Sequence, residues 1–403
     1  MLNNRTLKTT IERVSNNFRV ILLTGMRQVG KTTLLKMLSE QERTYLTLDD
    51  TATLNLAKTD PYLFFKTYQP PMLIDEIQYA PDLFPHIKML VDNSLLKGQV
   101  WLTGSRQFLL MKGVSESLAG RLVILELLGF SIYEREGKGE LQKPFLPSFT
   151  PAKILQNKSV NETFEVIWKG SFPEISLLGN ENWTDFYSSF VKTYIERDVR
   201  QLINIGNELS FYNFLKVVAA RTGQELNMTD ISNSLDISLN TVKSWMSVLQ
   251  ASGVVYLLPP YYENITKRTI KRPKLYFTDA GLAAYLTNWN TPETLQSGAM
   301  NGAFFETFVI SEIIKSYKHN GLSPNFYFYR DSNKVEIDLL IYENGKFYPI
   351  EIKMTANPNT KMVKNFSVLE AMGKTVGYGS LICLTDNVLP LTHNTNAISI
   401  WDI

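Results

Sequence analysis

The nine residues Gly25-Met26-Arg27-Gln28-Val29-Gly30-Lys31-Thr32-Thr33 constrain this chain more than any others. They follow the apolar run Arg19-Val20-Ile21-Leu22-Leu23 and precede the helical spacing of Leu34, Leu35 and Leu38, so a buried strand is expected to turn into a helix there. The spacing is that of a phosphate-binding loop, G-x-x-x-x-G-K-[ST]. Its glycines let backbone N–H groups wrap phosphate, Lys31 is expected to reach the β and γ oxygens, and Thr32 to ligate magnesium. The helix N-terminus adds a positive dipole end. The first third is therefore expected to be an α/β fold that binds ATP with Mg2+ through residues 25–33.

Such a site needs a second carboxylate-bearing strand, and Pro71-Met72-Leu73-Ile74-Asp75-Glu76 supplies one. Asp75 is expected in the magnesium shell and Glu76 as the base that orients the attacking water. A further strand, Gln99-Val100-Trp101-Leu102, runs into Thr103-Gly104-Ser105-Arg106, where Ser105 or Thr103 is expected to sense the γ-phosphate. Arg121 and Arg197 are candidates for the arginine that neutralises transition-state charge, in cis or from a neighbouring subunit of a homo-oligomer. Each is equally readable as a structural ion-pair residue.

The chain has 403 residues, more than one hydrophobic core usually serves, which points to two or three domains. With 44% hydrophobic and 20% charged residues it is neither disordered nor fibrous. It has no apolar run of the roughly 18 residues a membrane span needs, and Met1-Leu2-Asn3-Asn4-Arg5 opens no leader, so a cytoplasmic protein without membrane contact is expected. Cys383 is the only cysteine, and His86, His319 and His393 are far apart, which excludes an internal disulfide and argues against a zinc finger. A net charge of +2 does not choose between nucleic acid and other partners.

After a Pro- and Gly-containing linker over 137–151, helical periodicity returns at 164–168 and continues through 186–199. Three helices are expected over 211–221, 228–235 and 239–249, the last two joined at helix-turn-helix spacing. Strands over 254–258 and 275–277 flank Lys267-Arg268-Thr269-Ile270-Lys271-Arg272-Pro273-Lys274, giving a winged helix with a basic wing. Asn240, Thr241, Lys243 and Ser244 would face base edges, and Lys267, Arg268, Lys271 and Arg272 would meet the phosphates of double-stranded DNA. The competing reading is a packing platform with a solvated basic edge.

In the last quarter an amphipathic helix over 301–315 carries Glu306, and strands over 335–341 and 347–353 carry Asp338, Glu351 and Lys353. The turn Glu343-Asn344-Gly345-Lys346 joins the strands, and alternation puts Glu351 and Lys353 on one face, so Asp338 and Glu351 are expected side by side. Such a set suits metal-assisted phosphodiester hydrolysis. Asp338 and Glu351 would hold magnesium, Lys353 would position water, and Glu306 would complete the shell. The spacing is similar to that of restriction-endonuclease-like domains.

Several segments, taken in order, carry a wider resemblance: Arg27-Gln28-Val29-Gly30-Lys31-Thr32-Thr33-Leu34, Asp75-Glu76-Ile77-Gln78, Tyr194-Ile195-Glu196-Arg197-Asp198 and the Glu306, Asp338, Glu351 and Lys353 set. Nearly the whole chain resembles the prokaryotic AAA-like P-loop ATPases that carry a winged-helix segment and a C-terminal restriction-endonuclease-like domain of uncharacterised function. Met26 stands where those proteins usually have proline, and Ser171 where a second glycine is usual. The resemblance implies an α/β protein of three parts. These are an AAA-like P-loop NTPase domain with a helical lid over 1–205, a winged-helix domain over 206–290 and an α/β restriction-endonuclease-like domain over 291–403. Two functions stay open: an ATP hydrolase driving a DNA-binding or nuclease-like half, and an ATP-dependent switch or scaffold whose nuclease-like domain binds a protein partner and cuts nothing.

Overall fold

Five short strands build the sheet of the first third: β1 (Val20–Thr24), β2 (Thr44–Thr47), β3 (Met72–Asp75), β4 (Val100–Gly104) and β5 (Leu122–Glu126). The computed structural model describes residues 4–39, 43–104, 118–200, 208–262 and 271–403. Strands β1, β3 and β4 are buried end to end, as central strands of a covered parallel sheet must be. All pairings are parallel, in the order β2-β3-β4-β1-β5. The carboxyl ends of β1 and β3 therefore deliver the phosphate loop and the Asp75-Glu76 pair to one edge, with β4 between them.

The two loop glycines are dictated by the backbone. Gly25 has φ 144°, and a Cβ there would run into the Leu127 carbonyl oxygen. Gly30 has φ 90° and leads straight into the helix Lys31–Leu38.

Helices Val160–Lys169 and Trp183–Thr193 follow, stapled by Trp168 and Trp183 stacked 4.4 Å apart, and the second continues as the π-helical turn Tyr194–Val199. Next come helices Glu208–Ala219, Met228–Leu235 and Leu239–Ala251. The last two start at Asn227 and Ser238, whose side chains accept from backbone N–H groups of the first turn. They are flanked by the strands of an antiparallel sheet, β6 (Gln224–Glu225) before them and β7 (Val255–Leu258) and β8 (Lys274–Phe277) after, ordered β6-β8-β7.

The C-terminal sheet contains β9 (Phe326–Arg330), β10 (Glu336–Glu343), β11 (Lys346–Ile352), β12 (Gly379–Cys383), β13 (Leu389–Thr392) and β14 (Thr395–Ser399), ordered β13-β14-β12-β11-β10-β9. Asn344 and Gly345 close the β10–β11 hairpin with φ of 50° and 77°, as a primed turn requires. The register Glu343↔Lys346 through Leu339↔Ile350 puts Asp338 opposite Glu351.

The helix Asn301–Lys318 corrects one expectation. It is buried on nearly every side rather than amphipathic, because the first third covers one flank and the C-terminal sheet another. Glu312 accepts from Ile132 N at 2.8 Å, Lys315 donates to Phe130 O at 3.1 Å, and Tyr317 packs edge-on against Phe326. Its buried Glu312 and Lys315 pair with each other at 2.7 Å. The 137–151 linker is pinned to the same helix, Phe145 N donating to Ser316 Oγ at 3.0 Å. Among the described residues no helix is long and apolar enough to cross a membrane.

Just past this helix, His319 meets Arg5 around the fully buried Glu134. Arg5 Nε lies 3.2 Å and His319 Nδ1 3.3 Å from Glu134 Oε1, and the backbone of Thr6 and Ser131 donates to the same carboxylate. Burial pushes the Glu134 carboxyl up, but Arg5 and His319 outweigh it and hold it at about 2. A depressed carboxyl stabilises the fold fully above its unfolded value of 4.5, and that stability is lost as pH falls toward 2. Glu134→Gln should therefore cost on the order of 3 kcal/mol at pH 7 in urea denaturation, with the gap to wild type closing between pH 4.5 and 2.

Candidate functional site

Asp75, at the end of β3, is the hub of the nucleotide site. Thr32 Oγ1 donates to it at 2.8 Å, Tyr45 OH at 3.0 Å, and Thr103 Oγ1 through a short hydrogen bond. Burial and the Asp75 charge push the Tyr45 hydroxyl up to about 12, which keeps it a donor. Thr103 also accepts from Glu76 N at 3.1 Å, so one buried hydroxyl fixes both acids. Glu76 has φ 60°, a left-handed backbone rare for a residue with a Cβ, and its side chain is held by the Gln78 amide. Of the two hydroxyls expected to sense the γ-phosphate, Thr103 lies at the site, whereas Ser105 is outside the described residues.

Lys31 Nζ donates to the carbonyls of Gly25 at 3.0 Å and Met26 at 2.7 Å, which aims the ammonium along the loop formed by Arg27, Gln28, Val29 and Gly30. Arg27 reaches Tyr79 OH at 3.5 Å, and Thr33 follows Thr32 in the first turn of the helix. Buried Met26 lies against Gly253, where a Cβ would meet Met26 Cγ at 3.5 Å. At Gly30 a Cβ would be 3.8 Å from Pro173 Cγ. Ser171 donates from its backbone at 2.5 Å and its hydroxyl at 2.8 Å to Asp279, which also accepts from Tyr187 OH at 2.8 Å and Leu282 N at 2.7 Å.

The structure separates the two arginines. Arg121 precedes β5 and lies at the amino edge of the sheet, its carbonyl accepting from Val20 N, with Asp92 held at 2.5 and 3.0 Å. The five-residue strand puts it about 16 Å from the nucleotide edge. The expectation of Arg121 as a finger in cis is corrected accordingly. Exposed Arg197 lies on the π-helical turn, whose buried Tyr194 has its hydroxyl 2.7 Å from Ser252 Oγ, next to the Gly253 that meets Met26.

In the C-terminal half Asp338, Glu351 and Lys353 converge, but not alone. Lys353 Nζ lies 3.3 Å from Asp338 and 2.7 Å from Glu351, and Ile352 N donates to Asp338 at 2.9 Å. Lys274, from β8, reaches into the same cluster, with Nζ 3.2 Å from Glu306, 2.6 Å from Glu336 and 3.6 Å from Asp338. Tyr276 OH, two residues along β8, donates to Glu306 at 2.6 Å. Burial alone would discharge Lys274, but Glu306, Asp338 and Glu336 overrule it and hold the ammonium charged. Burial and Asp338 raise Glu306, and burial and Asp338 push Glu351 up to about 8 against the opposing pull of Lys353. Lys274 and Tyr276 are site residues that sequence reasoning missed. The signal was the alternation Lys274-Leu275-Tyr276-Phe277, which puts the two polar groups on one face.

Magnesium fits the first site, because a hydroxyl and a carboxylate, both hard oxygen donors, already face each other beside the loop. It does not fit the C-terminal cluster as folded, since the Lys274 ammonium lies among the acids that would ligate it. Among the described residues no group of three or more His, Cys, Asp or Glu is placed to hold a metal. Of the basic wing, Lys267 and Arg268 are outside the described residues. Exposed Lys271 and Arg272 line a groove of about 1260 Å³ with Tyr262, Tyr329, Arg330 and Lys334.

Residues 17–136 match the family model described as AAA domain, while 161–293 and 301–403 match models described as domains of unknown function, DUF8612 and DUF4143. An uncharacterized protein of Mycobacterium tuberculosis is 28% identical over 362 residues, covering 89% of this chain and 76% of that protein. One of Methanocaldococcus jannaschii is 24% identical over 356 residues, covering 83% and 74%. The Walker-type ATPase of Pyrococcus abyssi is similar in structure at TM-score 0.47 and 15% identity, covering 71% of this chain and 96% of that one. The RuvB Holliday junction branch migration motor of Thermotoga maritima is similar at TM-score 0.29 and 16% identity, covering 63% and 86%. The AAA match falls on the parallel sheet and the phosphate loop, and the first third of the chain is thus an AAA-like P-loop ATPase domain, a fold that binds ATP.

Proposed function

We propose that this protein is a magnesium-dependent ATP hydrolase that relays its nucleotide state to its C-terminal half. The observation that carries the reading is the Asp75 hub, in which one carboxylate meets the loop hydroxyl Thr32 and the Thr103 hydroxyl that also holds Glu76. Lys31 and the loop N–H groups bind the phosphates, and Thr32 and Asp75 hold the magnesium. Bound there, magnesium neutralises charge on the β and γ phosphates. Glu76, held by Gln78 and Thr103, orients the attacking water and takes its proton. Arg197 is the arginine assigned to developing charge.

The relay runs from Gly30 to Pro173, through Ser171 to Asp279, and along β8 to Lys274. It joins three proposed units: a P-loop domain with helical lid over 1–205, a winged helix over 206–290 and a restriction-endonuclease-like domain over 291–403. A second reading, contact with double-stranded DNA, is favoured by the groove where Lys271, Arg272 and Lys334 gather beside tyrosines, Arg330 there being paired with Glu225.

Lys31→Ala should abolish ATP binding measured by calorimetry. Glu76→Gln should keep that binding while steady-state hydrolysis falls by about 10²- to 10⁴-fold; undiminished turnover would contradict the role of Glu76. Thr103→Val should likewise bind ATP and lose about a hundredfold in turnover, because both acids lose their tether. Replacing Lys267, Arg268, Lys271 and Arg272 with glutamine should weaken duplex binding and reduce its salt slope by roughly 0.9 for each phosphate that is no longer neutralised. An unchanged slope would return the wing to a packing role.

A further inference from the structure

The nuclease-like spacing of Asp338, Glu351 and Lys353 implies a divalent metal, and the folded cluster disagrees with that implication. Its central cation is an ammonium of the chain itself. Lys274 is only 4% exposed and contacts three carboxylates contributed by a helix and a strand, Glu306, Glu336 and Asp338. The neighbouring Tyr276 hydroxyl ties Glu306 to the same strand. Both groups come from β8, which pairs with β6 and β7 outside the C-terminal sheet.

The acids nevertheless keep a coordination position in reserve. Glu351 is 6% exposed, and while its Oε1 pairs with Lys353, its Oε2 is buried without a hydrogen-bond partner among the described residues. A buried carboxylate oxygen left without a donor is costly, and it faces a cluster in which four carboxylates share the charges of Lys274 and Lys353. Arg330 adds only a distant, half-buried contact to Glu336 at 3.7 Å.

We infer that the C-terminal acid cluster is a cation site whose resident cation is Lys274, and that Asp338 and Glu351 bind a divalent metal only when that ammonium is removed. Lys353, 43% exposed, can swing its ammonium into solvent and leave Asp338 and Glu351 to a metal, whereas Lys274, buried and held by Glu306 and Glu336, cannot leave, and its fixed charge repels a divalent ion placed on Asp338. In the folded arrangement the cluster therefore joins β8 to the C-terminal sheet and holds no metal. The inference does not depend on whether ATP is hydrolysed.

The test is a Mn2+ titration of the nucleotide-free full chain, with free Mn2+ followed by electron paramagnetic resonance. Wild type and Asp338→Asn should bind the same number of Mn2+ ions, whereas Lys274→Met should bind one more, and Lys274→Met with Asp338→Asn should lose it. Calorimetric ATP binding, whose site is elsewhere, reports whether each variant is folded. If Lys274→Met does not fold, Lys274→Gln, which keeps an N–H donor without the charge, should gain the same ion. A Mn2+ ion bound by wild type and removed by Asp338→Asn would overturn the inference, and so would a folded Lys274 variant that gains none.

Discussion

A carboxylate taken out of water must be met by donors or by a cation, and several junctions among the described residues are built that way. Asp75 collects three hydroxyls at the nucleotide edge. Glu134 gathers Arg5, His319 and two backbone N–H groups. Asp279 takes donors from Ser171, Tyr187 and Leu282, and Asp338 takes Ile352 N, Lys353 and Lys274. Each joins segments far apart in sequence, so removing one partner strands a buried charge and loosens two elements at once.

The helix Asn301–Lys318 gives these junctions a common spine. Its Glu306 faces β8 and the C-terminal acids, its Glu312 caps Ile132 N beside the P-loop domain, and His319 beyond its end meets Glu134. A helix buried on nearly all sides cannot tilt without disturbing every layer packed on it. In the proposed relay, movement at the phosphate loop would act on β8 and the acid cluster through Pro173, Ser171 and Asp279.

Local pattern made much of this legible in the sequence. The phosphate loop, the Asp75-Glu76 strand end, the two capped helices after Asn227 and Ser238, and the Asn344-Gly345 turn each follow from chemistry within a few residues. The Asp338 and Glu351 juxtaposition was legible because the turn fixes the register. What was not legible depends on tertiary placement. Arg121 reads equally as a transition-state arginine or an ion-pair residue until β5 puts it at the far edge, against Asp92. Lys274 reads as the last charge of a solvated wing until β8 turns it inward. The Asn301–Lys318 helix reads as one-faced until a second layer covers its other side. Ser171 looked like a loss of glycine, whereas its hydroxyl and backbone N–H both hold Asp279.

Whether Asp75 couples magnesium to the bound nucleotide is tested most directly by ATP affinity with and without Mg2+ in wild type and Asp75→Asn. Mg2+ should strengthen ATP binding by roughly tenfold or more in wild type and by little in the variant, whose metal-free binding should stay close to wild type. A variant that keeps the full magnesium enhancement would contradict that coupling.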